Sequence, residues 1–153
     1  MNIFFLIIFL FLISCNTDIA SSSNQEITYN PEVSIKKIEK NINVEIYDYP
    51  SISGFQFDLL QSEGLQVTSL QALGGLSEDY EFYIATSINN LRILGFSLTD
   101  ITIPPLSQNS NILIQLQINY KGFGELGITD VILSGENGTE IDVDVDAQTI
   151  SLP

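Results

Sequence analysis

The sequence predicts an all-β protein, an antiparallel β-sandwich of about nine strands. Apolar and polar residues alternate over many short segments, which is typical of strands with one face on a core and the other on solvent. Turn-forming residues separate these segments, and no window has a helical period long enough to indicate a helix. A chain of 153 residues is long enough for one domain with a substantial core.

The N-terminal residues predict export and a lipid anchor. Ile3 to Ile13 form an unbroken apolar run of eleven residues. This is the length of a signal-peptide core, and it is shorter than the roughly 20 residues that a membrane-spanning helix needs. The next residues, Ser14-Cys15 after Leu12-Ile13, resemble the lipobox of bacterial lipoproteins. The resemblance implies a signal peptide over residues 1–14 and a lipid-modified Cys15, and the alternative is an ordinary secretory signal with an incidental cysteine.

Residues 15–30 are predicted to carry the lipidated cysteine and a flexible tether. The segment is rich in Ser, Asn and Thr and lacks apolar periodicity. Pro31 closes the tether, and the folded domain is predicted to span residues 31–153.

The third alternation of the domain, Ile52–Leu60, is the one on which the fold prediction depends most. The two earlier strands begin near Val33 and Ile42, and Pro50 ends the second because proline cannot donate to a strand ladder. Within the third strand the apolar and polar positions alternate strictly. We expect the apolar side chains to be buried and the polar ones to face outward; the apolar residues are Phe55, Phe57 and Leu59, and the polar ones are Gln56 and Asp58.

The later strands follow at short intervals up to the C-terminus. They begin near Leu65, Phe82, Leu91, Ile112, Ile128, Ile141 and Ile150. A phase slip between Ile128 and Val131 indicates a β-bulge. The pair Asn137-Gly138 is a strong hairpin signal, because both residues accept a positive φ.

The composition favours binding over catalysis. The net charge of −14, from 19 acidic and 5 basic residues, gives a surface that repels nucleic acid and anionic lipid headgroups. The absence of His excludes Ser-His-Asp triads, Cys-His dyads and His-ligated metal sites. A single Cys excludes an internal disulfide. We therefore predict neither an enzyme nor a cofactor.

Three aspartates near the C-terminus, Asp142, Asp144 and Asp146, suggest a calcium site at first sight. Residues two apart on a strand are about 6.7 Å apart, so these carboxylates do not converge on one ion with bonds of about 2.4 Å. We predict no metal site here and a charged face that protects a sheet edge; the alternative is a metal site shared with a loop such as Glu78-Asp79.

Two tyrosines, Tyr47 and Tyr49, are predicted to face outward from one strand, since they lie two residues apart. Two exposed aromatic rings in line would stack on a sugar chain or anchor a protein partner. Packing against a neighbouring strand is the alternative.

The segment Gly54–Asp58 carries a resemblance to a known family. Together with a more diffuse similarity over residues 31–153, which includes Leu94–Ser97 and Ile128–Ser134, it resembles the cohesin domain. Cohesins are nine-stranded jelly-roll sandwiches, related in fold to a group of cellulose-binding modules. They are non-catalytic and bind dockerin domains through one sheet face, which assembles polysaccharide-degrading complexes.

This resemblance implies that Gln56 and Asp58 lie on a partner-binding face, and the outward pattern adds Tyr47 and Tyr49 to that face. The first function hypothesis is a surface-tethered module that binds a dockerin-like protein. The second is a carbohydrate-binding module that takes a polysaccharide, and the third is a structural lipoprotein domain without a specific ligand. In each case the lipid anchor is the only predicted membrane contact, and the protein is exported to the cell envelope or surface, or secreted if it is not lipidated.

Overall fold

The computed structural model describes residues 27–153, which fold into two packed β-sheets. The predicted signal peptide, Cys15 and most of the predicted tether lie outside the described residues. Among residues 27–153, no helix is long and apolar enough to cross a membrane.

Eleven strands and one short α-helix make up the described part of the chain. In chain order they are β1 (Glu32–Ile38), β2 (Asn41–Tyr49), β3 (Gly54–Gln61), β4 (Leu65–Leu73), α1 (Gly75–Asp79), β5 (Tyr83–Ser87), β6 (Arg92–Phe96), β7 (Leu106–Gly122), β8 (Gly124–Ser134), β9 (Glu140–Ile141), β10 (Asp144–Val145) and β11 (Ile150–Leu152). Only β9 and β10 are as short as two residues, so the prediction of about nine strands agrees with the structure.

The strands are divided between two sheets that pack face to face. The first sheet has the order β10–β1–β2–β7–β4, and the second has the order β11–β8–β3–β6–β5, with β9 paired to β8. Within the described residues, neighbouring strands run antiparallel except β1 and β10. The predicted all-β antiparallel sandwich is confirmed.

The core lies between the inner faces of the two sheets. Phe55, Phe57 and Leu59 of β3 are all buried, as the alternation predicts. The ring centroid of Phe55 lies 6.2 Å from that of Phe57 and 6.1 Å from that of Phe82. Gly95 lies directly opposite Phe55 on β6, and a side chain there would collide with the Phe55 ring. Strand β3 is therefore fixed in register by an aromatic cluster beneath it.

The predicted bulge and hairpin are both present in the second sheet. The pairing of β3 with β8 slips between Gln56 and Asp58, and Asp130 in that part of β8 has φ 51°. Strands β8 and β9 pair antiparallel across the loop that contains Asn137, which has φ 59°. The bulge absorbs the phase slip that the sequence indicated near Val131, and the loop with Asn137 reverses the chain where the Asn-Gly pair predicted a hairpin.

Two local features differ from the sequence predictions. Helix α1 was not predicted, because one short turn is too brief to show a helical period. It begins after Gly74, whose φ is 72°, and packs against β7. The run from Ile141 to Asp146 is not one strand: β9 ends at Ile141, and β10 lies at the edge of the first sheet, parallel to β1.

Candidate functional site

The outer face of the second sheet is the candidate functional site. Gln56 and Asp58 point to this face, because Phe55, Phe57 and Leu59 between and beside them point inward. Their predicted outward placement is therefore confirmed. Both side chains are only partly exposed, since neighbouring strands flank β3 on both sides.

An exposed apolar strip crosses this face on either side of Gln56. In the sheet register Gln56 lies opposite Leu94 of β6 and Ile132 of β8, so the three side chains share one face. Leu94 is 37% exposed and Ile132 is 50% exposed. A shallow depression of about 220 Å³ lies among these side chains. Large apolar residues at such positions are unusual for a face that meets only water.

Two aromatic residues continue the strip toward the sheet edge. Tyr83 of β5 lies opposite Phe96 of β6, and their ring centroids are 5.4 Å apart with planes inclined by 57°. This tilted geometry is favourable for aromatic pairs. Tyr83 remains 55% exposed. We call Tyr83, Leu94, Phe96 and Ile132 the apolar strip.

An ion pair borders the apolar strip along β3 and β6. Arg92 donates two hydrogen bonds to Asp58, from Nε to Oδ1 at 2.7 Å and from Nη2 to Oδ2 at 2.8 Å. The hydrogen bonds from Arg92 lower the pKa of the Asp58 carboxyl, and the same bonds raise the pKa of Arg92. The Asp58 carboxylate thus already accepts two hydrogen bonds from Arg92, and these bonds orient the Arg92 guanidinium at the edge of the apolar strip.

The two tyrosines of the sequence prediction do not join this site. Tyr47 and Tyr49 belong to β2 of the first sheet, whereas Gln56 and Asp58 belong to the second. Tyr47 is 39% exposed, but Tyr49 is buried at 2% exposure. The prediction that both tyrosines face outward beside Gln56 and Asp58 is therefore wrong.

The left-handed backbone conformation of Asp48 is the physical reason for the burial of Tyr49. The pairing of β2 with β7 shifts between Tyr47 and Tyr49, and Asp48 has φ 46°. The buried Asp48 carboxylate accepts hydrogen bonds from the backbone N–H groups of Asn30 and Gln108. The left-handed conformation of Asp48 breaks the alternation of β2 and turns Tyr49 into the core. The extra residues of the irregular pairing lie on β7, between Leu106 and Ser110. Burial, with a smaller effect of nearby Tyr80, raises the pKa of Tyr49 to about 12.

The apolar strip was missed by sequence reasoning, although a signal exists. Each of its strands contains adjacent apolar residues, such as Ile93-Leu94 and Ile132-Leu133, and one member of each pair must face outward. In both pairs the other member is fully buried. Only the register of β8, β3, β6 and β5 shows that the outward members are neighbours.

The described residues contain no cluster of three His, Cys, Asp or Glu side chains arranged to hold a metal ion. Asp142 and Asp144 are exposed on the segment that includes β10, at the edge of the first sheet. Their position is that of charged residues that keep an open strand edge from pairing with other chains.

Comparison with known proteins identifies the fold. No protein-family model matches the chain, and no curated protein is significantly similar to it in sequence. A chain of a type I cohesin–dockerin complex from Clostridium thermocellum is similar in structure, with a TM-score of 0.54 and 11% sequence identity. The alignment covers 78% of this chain and 90% of that chain.

Cohesins of other kinds are similar to the same extent. A non-cellulosomal cohesin from the archaeon Archaeoglobus fulgidus has a TM-score of 0.52 and 12% identity, covering 82% of this chain and 91% of its own. A type II cohesin domain from the cellulosome of Acetivibrio cellulolyticus has a TM-score of 0.52 and 14% identity, covering 82% and 95%. The chain therefore has the fold of cohesin domains, which confirms the predicted resemblance at the level of the fold.

Proposed function

We propose that the chain is a non-catalytic module that binds a partner protein of the dockerin kind through the outer face of the second sheet. The observation that carries the proposal is the apolar strip, which lies exposed on a cohesin fold. The similar structures include cohesins in complex with dockerins from Clostridium thermocellum and R. flavefaciens. These complexes support the class of partner.

The chemistry of this face suits a protein partner. The energetic centre of a protein interface is rich in aromatic and large aliphatic side chains, and its rim is polar. Here Tyr83, Leu94, Phe96 and Ile132 supply such a centre. Gln56 supplies an amide within the strip that both donates and accepts hydrogen bonds.

We further propose that Gln56 and Asp58 have different roles in binding. Gln56 makes direct hydrogen bonds to the partner, because it lies between Leu94 and Ile132. Asp58 acts mainly through Arg92, whose guanidinium it holds in place by two hydrogen bonds. A positioned arginine at a rim favours the correct orientation of an incoming partner.

Export and anchoring form a separate part of the proposal. We propose that Cys15 is lipidated and that the module is displayed on the cell envelope, where a polysaccharide-degrading assembly would need it. Substitution Cys15→Ala should move the protein out of the membrane fraction, because the acyl chains supply the stable anchoring. Retention of the variant in the membrane fraction would contradict the anchor and leave the binding proposal to its own test.

Site-specific photo-cross-linking tests the binding face. The full-length chain with a photoreactive benzoylphenylalanine at Leu94 is incubated with the proteins that its own organism secretes. We expect a cross-link to a protein with a dockerin-like segment. The matched control has the same residue at Gln117, which is exposed on β7 of the first sheet, and it should give no such product.

Two outcomes of this experiment would contradict the proposal. One is a cross-link from Gln117 that is as strong as the one from Leu94. The other is the absence of any cross-linked protein from Leu94, because that result favours a carbohydrate-binding module instead.

A further inference from the structure

A polar cleft lies at the end of the sandwich next to the apolar strip. It has a volume of about 660 Å³ and lies where three segments meet: the start of β3, the loop after β6 and the loop after β8. Ligand sites commonly have volumes of about 300–1,000 Å³. The cleft shares Phe96 with the apolar strip, but most of its lining lies in the two loops beyond the strand ends.

The floor of the cleft is held by hydrogen bonds that need no ligand. Ile52 and Ile103 exchange two backbone hydrogen bonds, of 3.0 and 2.8 Å, which tie the loop before β7 to the start of β3. The Ser51 hydroxyl donates to the Thr102 hydroxyl at 2.9 Å. On the other side, the Ser53 N–H donates to the Ser134 carbonyl at 2.7 Å. The floor of the cleft is thus ordered before any ligand binds, which lowers the entropic cost of binding there.

The chemistry of the walls selects the class of ligand. Asp100 and Glu136 are exposed carboxylates on the two loops, and Asn137 adds an amide. Serine and threonine hydroxyls line the space between them, and none of the lining residues is Lys or Arg. Such a site repels anions and offers many acceptors for hydroxyl donors.

An aromatic ring supplies the remaining feature of the cleft. Phe96 lines the cleft, and its ring centroid lies 5.4 Å from that of Tyr83. The faces of pyranose rings carry C–H groups that pack on aromatic rings, while their hydroxyls hydrogen-bond to carboxylates and amides. A metal ion is a weaker candidate, because the described residues bring together no three His, Cys, Asp or Glu side chains.

We propose that this cleft is a binding site for a neutral oligosaccharide. A sugar ring lies against Phe96, and its hydroxyls donate to Asp100 and Glu136. The site is distinct from the two tyrosines at which the sequence predicted stacking, and it goes beyond the proposed partner-binding function. It would place a polysaccharide chain beside the face that receives the partner protein.

The test measures binding of neutral hexasaccharides of glucose, xylose and mannose to the full-length chain in detergent, by isothermal titration calorimetry. We expect saturable binding of at least one of them. The double variant Asp100→Ala, Glu136→Ala should weaken it by at least about tenfold, because it removes two charge-assisted hydrogen bonds. Phe96→Leu should weaken it as well, because the apolar volume remains but the flat aromatic face is lost.

The matched control is the double variant Glu63→Ala, Asp79→Ala, which removes the same charge from exposed residues outside the cleft. It should bind the hexasaccharide as the unmodified chain does. The proposal is overturned if no hexasaccharide binds saturably, if the cleft variants bind normally, or if the control loses as much affinity as the cleft variant. Melting temperatures of all variants show whether a loss of binding reflects a loss of the fold.

Discussion

The outer faces of the two sheets differ although both sheets cover the same core. On the second sheet, Ile132 and Tyr83 are about half exposed, at 50% and 55%. On the first sheet, neighbouring outward positions carry neutral amides, with Gln71 of β4 directly opposite Gln117 of β7 and both exposed. The first sheet also exposes Tyr47 and Leu73, at 39% and 42%, but they lie apart, opposite Ser110 and Gln115 of β7. The contiguous apolar strip of the second sheet supports the proposal that this face contacts another molecule.

The two sheets share one core, and substitutions in this core are predicted to lower the free energy of unfolding the most. Phe57 of the second sheet and Leu116 of the first are both fully buried. Phe57→Ala should lower the free energy of unfolding by about 3–5 kcal/mol, and Leu116→Ala by about 2–5 kcal/mol. Gln56→Ala on the outer face should change it by at most about 0.5 kcal/mol. Urea denaturation measures all three, and a loss below about 1 kcal/mol for Phe57→Ala would mean that the inner face is wrongly assigned.

The two tyrosines of β2 test the difference between a core position and an outer-face position on one strand, because only Tyr47 belongs to an outer face. Tyr49→Ala should cost about 3 kcal/mol, since it leaves a cavity in the core, whereas Tyr47→Ala should cost at most about 0.5 kcal/mol. The difference should appear as a lower melting temperature for the Tyr49 variant alone. Equal melting temperatures for the two variants would contradict the burial of Tyr49.

The smallest predicted effect concerns the ion pair that borders the apolar strip. Hydrogen bonds from Arg92 lower the pKa of Asp58 in the folded chain. The Asp58–Arg92 pair therefore stabilises the fold in full at pH values above about 3.9, the pKa of an aspartate in the unfolded chain. This stabilisation is lost as the pH falls through the lower pKa that Asp58 has in the folded chain. Because both side chains are partly exposed, solvent screens the pair and the contribution is modest.

Urea midpoints of the unmodified chain and of Asp58→Asn between pH 7 and pH 2 test this prediction. The unmodified chain should be the more stable at pH 7, and the gap should close in acid. Arg92→Gln should show the same pattern, since it removes the other partner. A gap of the same size at both ends of the pH range would show that the pair does not cause it.

Much of the fold was predictable from sequence because apolar and polar residues alternate in β3 and in the strands around it. Phe55, Phe57, Gln56 and Asp58 occupy the predicted faces because a strand in the middle of a two-layer sandwich has no freedom to rotate. The bulge in β8 was also predictable, because the slip in apolar phase near Val131 is local.

The site was less predictable because it depends on contacts between distant parts of the chain. Asp48 turns Tyr49 inward through bonds to residues 18 and 60 positions away in sequence. The apolar strip likewise requires the order β8–β3–β6–β5, which no local pattern contains. Local periodicity predicts which residues face outward, whereas the register of distant strands determines which of them are neighbours.

The affinity of the cross-linked partner for two double variants tests the central claim most directly. Leu94→Ala with Ile132→Ala truncates the second-sheet face, and Gln71→Ala with Gln117→Ala truncates the first-sheet face at exposed positions. We expect the Leu94 and Ile132 double variant to lose about 2 kcal/mol or more of binding free energy, which is about thirtyfold in Kd. The Gln71 and Gln117 double variant should lose less than about 0.5 kcal/mol. The melting temperatures of both should be unchanged. An equal loss for the two variants, or a loss confined to the Gln71 and Gln117 variant, would contradict the assignment of the second sheet as the binding face.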